Sequence, residues 1–160
     1  MTTLETSIPS TWNEGAALAV AKIADFPKPI PGLAISEIRL CFSSLEEDYA
    51  RHSQLSLPWA GVGAAALKYA WHSGNRVDID ELVQTLCRKQ ADYGHDNIRR
   101  FGTYGVIVRC HDKIARLEHL FRTGRDPKNE SVRDNLMDVA GYAAIGIMLE
   151  NGWFEKELEL

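Results

Sequence analysis

The stretch SVRDNLMDVAGYAAIGIMLENG, residues 131–152, sets the fold class, because its apolar residues recur at the spacing of an amphipathic helix. The residues of this stripe are Val132, Leu136, Val139, Ala143 and Ile147. Asn129 is a plausible N-cap, and Gly152 is suited to end the helix. The stretch therefore predicts a long helix with one face in the core.

A second long helix is predicted immediately before it, in VIVRCHDKIARLEHLFRTG, residues 106–124. The residues expected to point inward are Ile107, Ile114, Leu117 and Phe121. Only the turn RDPKNE, residues 125–130, separates the two helices. We therefore expect them to pack antiparallel.

Four more helices are predicted towards the N-terminus, after a polar arm at residues 1–10. They occupy residues 12–26, 33–55, 58–74 and 78–94, and the proline-rich segment PKPIPG at residues 27–32 cannot be helical. Strand signals are nearly absent. The prediction is an all-α bundle of about six helices in a single domain, 1–160, in which residues 1–75 have no assigned role.

Composition narrows the classes of partner. The net charge of −4 argues against direct nucleic-acid binding, and no apolar run is long enough for a membrane span. The segment from Arg88 to Arg125 nevertheless holds nine Lys or Arg against four Asp or Glu. Such a locally positive region would attract a phosphate-bearing ligand, although it could also be a set of solvated helix faces.

Charged residues of the last two helices form the first candidate site. Glu130, Asp134 and Asp138 are spaced four apart, as in a stack of oxygen ligands for Mg²⁺ or Mn²⁺. Lys113 and Arg116 of the preceding helix can instead pair with Asp134 and Asp138. Three interpretations stay open at this point: a chain of salt bridges, a metal-binding carboxylate cluster that includes Asp112, and a metal-free anion site that uses the cations.

The second candidate is the segment KQADYGHDNIRR, residues 89–100. Arg99 and Arg100 can hold phosphates, and Tyr93 or Phe101 can stack on a base. Asn97 adds a further polar side chain. The alternative is an ordinary helix end at Gly94 with no ligand.

Three pieces of the sequence, KQADYG, HDKIARLEHL and DNLMDVAGYA, occur in this order between about Asp78 and Gly152. This pattern resembles the phage and bacterial nucleotide-modification-associated domain, which is distantly similar to the all-alpha MazG-type nucleoside triphosphate pyrophosphohydrolases. The resemblance covers under half of the chain. It implies a MazG-like core at residues 78–152 and a dimeric or larger homo-oligomer that handles nucleotides.

The family's metal motifs are only partly present. MazG-type enzymes hold Mg²⁺ with EExxE on one helix and ExxD on another, and cleave between the α and β phosphates. The first motif falls here on Asp112, Lys113 and Arg116, and the second on Asn135 and Asp138, with Asp134 one residue earlier. Two expected carboxylates are thus replaced by cations, which repel a metal and attract phosphate.

The resemblance implies a metal-dependent nucleoside triphosphate pyrophosphohydrolase acting in a bacterial or host cytoplasm. Asp112, Asp134 and Asp138 would be its catalytic and metal-binding residues, with Mg²⁺ or Mn²⁺ as cofactor. The residues expected to bind the nucleotide are Lys113, Arg116, Arg100, Arg99, Tyr93 and Asn97. Two rival hypotheses are a non-catalytic nucleotide binder and a helical interaction module.

Overall fold

The computed structural model describes residues 8–160, and over that range the protein is all-helical with no strand. The helices are α1 (Trp12–Ala24), α2 (Ile35–Ala50), α3 (Ser56–His72), α4 (Ile79–Tyr93), α5 (Asp96–Arg99), α6 (Gly102–Thr123) and α7 (Val132–Glu150). This confirms the predicted fold class. Most of the predicted polar arm lies outside the described residues.

Helix α7 is the centre of the bundle and packs against α1, α3, α4 and α6. Small residues along it let its neighbours approach closely. At Gly146, an added Cβ would lie 2.2 Å from the Trp59 ring of α3, so no larger residue fits there without movement. The close contact between α3 and α7 therefore depends on glycine at this position.

Local sequence signals explain where several helices begin and end. Thr11 caps α1 by accepting a hydrogen bond from the Glu14 amide. Helix α7 begins with a capping box, in which Ser131 and Asp134 exchange side-chain and backbone hydrogen bonds. The prediction of Asn129 as N-cap is therefore wrong, because it is the Ser131 hydroxyl that accepts a hydrogen bond from the Asp134 amide, in the first turn of the helix. Gly94 ends α4 with a positive φ of 66°.

The region between α4 and α6 is partly helical, although the sequence analysis places no helix between the segments 78–94 and 106–124. A one-turn helix, α5, lies within it, and α6 begins at Gly102 rather than near residue 106. Phe121, predicted to point inward, is 69% exposed in the last turn of α6. Periodicity identifies the apolar face of a helix, but it does not indicate where neighbouring helices stop covering that face.

The N-terminal helices share one hydrophobic core with the C-terminal half, and every helix contributes to it. Helix α2 packs on α3 and α6, whereas α1 packs on α3, α4 and α7. The segment after α7 fixes the start of α1: the Trp12 amide donates to the Glu157 carbonyl at 2.8 Å, and Trp12 meets the Phe154 ring edge-on. These contacts position Trp12 beside α4.

Among the described residues, no helix combines the length and apolar character needed to cross a bilayer.

Candidate functional site

A cavity of about 340 Å³ lies between α4, α6 and α7 and is closed by Trp12 of α1. This volume is at the lower end of the range of roughly 300–1,000 Å³ for small-molecule pockets. The apolar side chains that line it are Trp12, Leu82, Leu86, Ile98, Met137 and Ile145. The charged ones are Lys89, Arg109, Lys113, Glu130 and Asp138. The cavity thus combines an apolar wall with a cluster of charges.

Asp138 of α7 joins the two flanking helices at this cavity. Its Oδ1 accepts from Lys89 Nζ of α4 at 2.8 Å, and its Oδ2 accepts from Lys113 Nζ of α6 at 3.0 Å. Lys113 also donates to Glu130 at 2.7 Å. Glu130 lies just before α7 rather than on it, so it does not form the predicted helical stack with Asp134 and Asp138. The result is a continuous chain of ion pairs.

Lys113 is a firmly protonated member of this chain. Burial by itself lowers the pKa of Lys113, but the hydrogen bonds to Glu130 and Asp138 outweigh burial and leave that pKa raised. The nearby Tyr142 phenol also lines the cavity, and burial followed by the charge of Asp138 raises its pKa. Both groups therefore carry their protons at neutral pH and can donate hydrogen bonds.

Arg109 differs from the two lysines of the cavity. It lies one turn before Lys113 on α6, and it forms no ion pair within residues 8–160. Among the described residues, its guanidinium donates a single long hydrogen bond, 3.4 Å, to the Asn97 carbonyl. Arg109 is half-buried and lines the cavity, so its charge is available to a bound anion.

Two residues that line the cavity carry buried donors without a partner among the described residues. Five buried side-chain nitrogen or oxygen atoms lack a hydrogen-bond partner among the described residues. Two of these atoms, Trp12 Nε1 and Gln90 Nε2, belong to residues that line this cavity.

The three carboxylates predicted to bind a metal do not come together as a group. Asp112 is exposed and lies outside the cavity, and Asp134 uses its side chain in the capping box of α7. The Ser131 hydroxyl and amide lower the pKa of Asp134. Both oxygens of Asp138 already accept from lysines. Among the described residues, no group of three or more His, Cys, Asp or Glu is placed to hold a metal ion, so this arrangement does not fit Mg²⁺ or Mn²⁺.

The predicted nucleotide-binding residues divide into two sets. Lys113, Tyr93 and Asn97 line the cavity. Arg99 instead pairs with Glu155 at 2.5 Å, and Arg100 lies over the Phe101 ring at 5.8 Å, both away from the cavity.

Arg116, the remaining predicted phosphate ligand, donates to the Glu130 carbonyl at 3.1 Å rather than to a carboxylate. It orders the turn before α7 and does not line the cavity. Of the pairings that the salt-bridge interpretation expects, the one between Lys113 and Asp138 is present.

Trp12, Arg109 and Tyr142 are cavity residues that the sequence analysis did not name as candidates, and Gln90 was included only as part of the segment 89–100. Two of them carried a detectable signal. Arg109 is four residues before Lys113, which places both cations on one face of a helix. Gln90 is four residues after Leu86 and therefore continues the buried face of α4 with a polar residue.

A larger cavity, about 1330 Å³, lies under the proline-rich segment between α1 and α2. Arg76 lies 4.3 Å above the Trp71 ring there and pairs with Asp78 at 3.0 Å, while Glu81 pairs with Arg133. None of the buried unpartnered atoms belongs to its lining among the described residues. Its chemistry is therefore less specific than that of the cavity at α7.

Comparison with known proteins gives no relative from which a role can be transferred: no protein-family model, curated protein or solved structure matches the chain.

Proposed function

We propose that this protein binds a phosphate-bearing small molecule, a nucleotide, in the cavity between α4, α6 and α7, without needing a metal ion. The observation that carries the proposal is Arg109, a half-buried cation that lines the cavity and has no carboxylate partner within the described residues. A guanidinium group in that position keeps donor groups free for an anion that enters the cavity. A phosphate group supplies such an anion.

The balance of charge supports an anionic ligand. The cavity lining contains three cations, Lys89, Arg109 and Lys113, and two carboxylates, Glu130 and Asp138. The carboxylates are satisfied by the lysines, so the excess positive charge lies at Arg109. Lys89 is about half exposed and retains donor protons for a ligand while bonded to Asp138.

The pairing of Asp138 with two lysines favours binding over metal-dependent hydrolysis. Each of its oxygens faces an ammonium group, and a divalent cation would have to displace both. This is the arrangement of an anion site that uses cations directly. In such a site, ammonium groups of lysine and the guanidinium group of arginine contact the phosphate chain at the position where a metal-dependent enzyme would hold Mg²⁺.

Thermal melting with nucleoside mono-, di- and triphosphates, in EDTA and in Mg²⁺, tests the proposal. A ligand at about a hundred times its Kd stabilises a folded protein by about 2.7 kcal/mol, which corresponds to a rise in Tm of roughly 5–10 °C for a chain of this size. We expect this rise in EDTA as well as in Mg²⁺. The result that contradicts the proposal is an unchanged Tm with every phosphate ligand, which would favour an interaction module.

Two variants and a matched control locate the binding. Arg109→Met and Lys89→Met should each weaken nucleotide binding by about tenfold, because each removes a charge-assisted contact. Arg88→Met is the control, since Arg88 is the neighbour of Lys89 on α4, is exposed, and does not line the cavity. Equal losses in all three would mean a nonspecific effect of charge. If the rise in Tm requires Mg²⁺ and pyrophosphate is released, the metal-free binding site is wrong and the protein is a metal-dependent hydrolase.

A further inference from the structure

Arg109 keeps most of its donors free at the cavity between α4, α6 and α7. Its Nη2 makes the long hydrogen bond to the Asn97 carbonyl, whereas Nε and Nη1 have no partner among the described residues. Neither of these two nitrogens is one of the buried atoms without a partner, so both are open to solvent. A phosphate that enters the cavity can therefore accept hydrogen bonds from this guanidinium directly.

The hydroxyl of Tyr142 is a second free donor at the same cavity. Tyr142 lies one turn after Asp138 on α7, and its hydroxyl has no partner among the described residues. This hydroxyl is likewise not one of the buried unpartnered atoms, so a ligand can reach it. Burial is the main cause that raises the pKa of the phenol, and the charges of Asp138, Lys113 and Arg109 also act on it. The hydroxyl therefore lies near the charged part of the cavity and carries its proton at neutral pH.

The two lysines of the lining are already compensated by carboxylates. Lys113 donates to Glu130 and Asp138, and Lys89 donates to Asp138. With three cations and two carboxylates in the lining, the excess is a single positive charge. This excess suits one phosphate group better than a chain of them.

The carboxylates also limit how long a phosphate chain the cavity can hold. To contact Lys113, a second phosphate has to displace Glu130 or Asp138, and it then lies beside the carboxylate that it has displaced. Like charges at such short range repel, and they repel more strongly in a half-buried site than in water. Without a metal ion to offset this repulsion, further phosphates gain little here.

We propose that the site recognises a single phosphate group, that of a nucleoside monophosphate, through Arg109 and the Tyr142 hydroxyl; this inference rests on the function proposed above. The terminal oxygens of a phosphate monoester can accept from the guanidinium, from the phenol and from a proton of Lys89 that Asp138 does not use. The half-exposed Glu130 then selects against the longer chains of di- and triphosphates.

Calorimetric titration in EDTA tests the inference with the common nucleosides and their mono-, di- and triphosphates. At about 0.15 M salt, long-range attraction between exposed charges is screened, so the contacts within the cavity decide the affinity. The best monophosphate should bind at least about tenfold more tightly than its nucleoside, the gain expected for charge-assisted hydrogen bonds. The matching di- and triphosphate should bind no more tightly than the monophosphate.

Tyr142→Phe removes only the hydroxyl and keeps the ring. It should weaken binding of the monophosphate about tenfold, because one hydrogen bond to a charged group is lost. Tyr69→Phe is the matched control, since Tyr69 is also half-buried but lies on α3, outside this cavity. The control should bind the monophosphate with the Kd of the wild type.

Glu130→Gln removes the carboxylate that is expected to oppose a longer chain. It should tighten binding of the triphosphate several-fold more than binding of the monophosphate, because the repulsion falls mainly on the added phosphates. Asp126→Asn is the matched control, since Asp126 is exposed in the same turn but outside the cavity. The control makes the same change in net charge and should leave the ratio of the two Kd values unchanged.

Four outcomes overturn the inference, and they differ in what else they affect. If affinity rises with every added phosphate, recognition of a single phosphate is wrong, whereas the anion site stands. If Tyr142→Phe binds the monophosphate as tightly as the wild type, the phenol does not contact the phosphate. If Glu130→Gln changes both Kd values by the same factor, Glu130 does not select for chain length. If no phosphate compound binds, the proposed function fails together with this inference.

Discussion

Helix α6 takes part in two ion-pair networks, one on each side, and the two differ in what surrounds them. On the side of α2, Arg39 donates to both oxygens of Glu118, at 2.5 and 3.2 Å, and also approaches His111. On the side of α7, Lys113 is shared by Glu130 and Asp138. Both networks bridge helices through a cation and a carboxylate.

The second network borders the cavity between α4, α6 and α7, whereas Arg39 and Glu118 are not part of that lining. Arg39 packs over the Phe42 ring at 5.5 Å, and this ring also faces His111. Lys113 instead lies beside open space that also contacts Arg109, Gln90 and Tyr142. Pairing of charges across helices is therefore not a mark of a functional site, whereas pairing beside a cavity that also holds Arg109, a cation without a carboxylate partner among the described residues, is a reason to expect a ligand.

The largest expected effect comes from Asp138→Ala, which removes the common partner of Lys89 and Lys113. The side chains of Asp138 and Lys113 are only 14% and 21% exposed, so we expect a loss of about 2–3 kcal/mol in the free energy of unfolding. Denaturant titration measures this loss. Asp112→Ala, at an exposed position, should change stability by less than about 0.5 kcal/mol.

This variant also distinguishes the ion-pair network from a metal site. If Asp138 were a metal ligand among repelling carboxylates, Asp138→Ala would keep or raise the Tm in EDTA. An unchanged or higher Tm would therefore contradict the role of Asp138 as partner of two lysines.

A smaller effect is expected from Ser131→Ala at the start of α7. The hydroxyl caps the Asp134 amide at 3.0 Å, and loss of such a cap costs about 1 kcal/mol. Ser131→Thr keeps the hydroxyl and should retain most of the stability in the same denaturant titration. If Ser131→Ala and Ser131→Thr change the free energy of unfolding equally, the hydroxyl cap does not stabilise the start of α7.

The smallest effect on the free energy of unfolding is expected for a substitution in the ion pair between α2 and α6. Glu118→Gln should cost roughly 0.5–1 kcal/mol at neutral pH, because the pair with Arg39 is partly exposed to solvent. It should leave nucleotide binding unchanged, since Glu118 is not part of the cavity. A weaker nucleotide Kd in this variant would mean that the two networks are coupled through α6.

The same variant has a defined pH dependence. The hydrogen bond from Arg39 holds the pKa of Glu118 below its ordinary value of 4.5, despite partial burial. The stability that this carboxylate adds is therefore constant above about pH 4.5 and is lost as the pH falls through the lowered pKa of the folded state. The difference between wild type and Glu118→Gln should close only at acid pH, and a difference that instead closes at alkaline pH would contradict this assignment.

The fold could be predicted from the sequence largely because its signals are local. The stripe of α7, the cap at Thr11 and the stop at Gly94 all act within a few residues. The boundary of α6 was missed because residues 102–105 contain two glycines and no apolar stripe, yet the helix begins at Gly102. The same limitation hid α5.

The site was predictable only in part, since it depends on which helices are neighbours. Lys113 and Asp138 were identified, but spacing along one helix did not indicate that Lys89 of α4 shares Asp138. Trp12 could not be associated with the site from sequence, because it lies at least seventy residues along the chain from every other residue of the lining. The packing of α1 on α4 brings it there. Contacts between distant residues are set by the whole bundle.

Hydrogen bonds join the start of α1 to the segment after α7, and they determine when one wall of the cavity can be fixed during synthesis. Trp12 is translated 145 residues before Glu157, yet its amide donates to the Glu157 carbonyl, and Asn13 exchanges two hydrogen bonds with the backbone of Glu159. At roughly 5–20 residues per second, several seconds separate the translation of these partners. The contact that fixes the Trp12 wall of the cavity is therefore available only after all the charged residues of the lining, up to Asp138, have been translated.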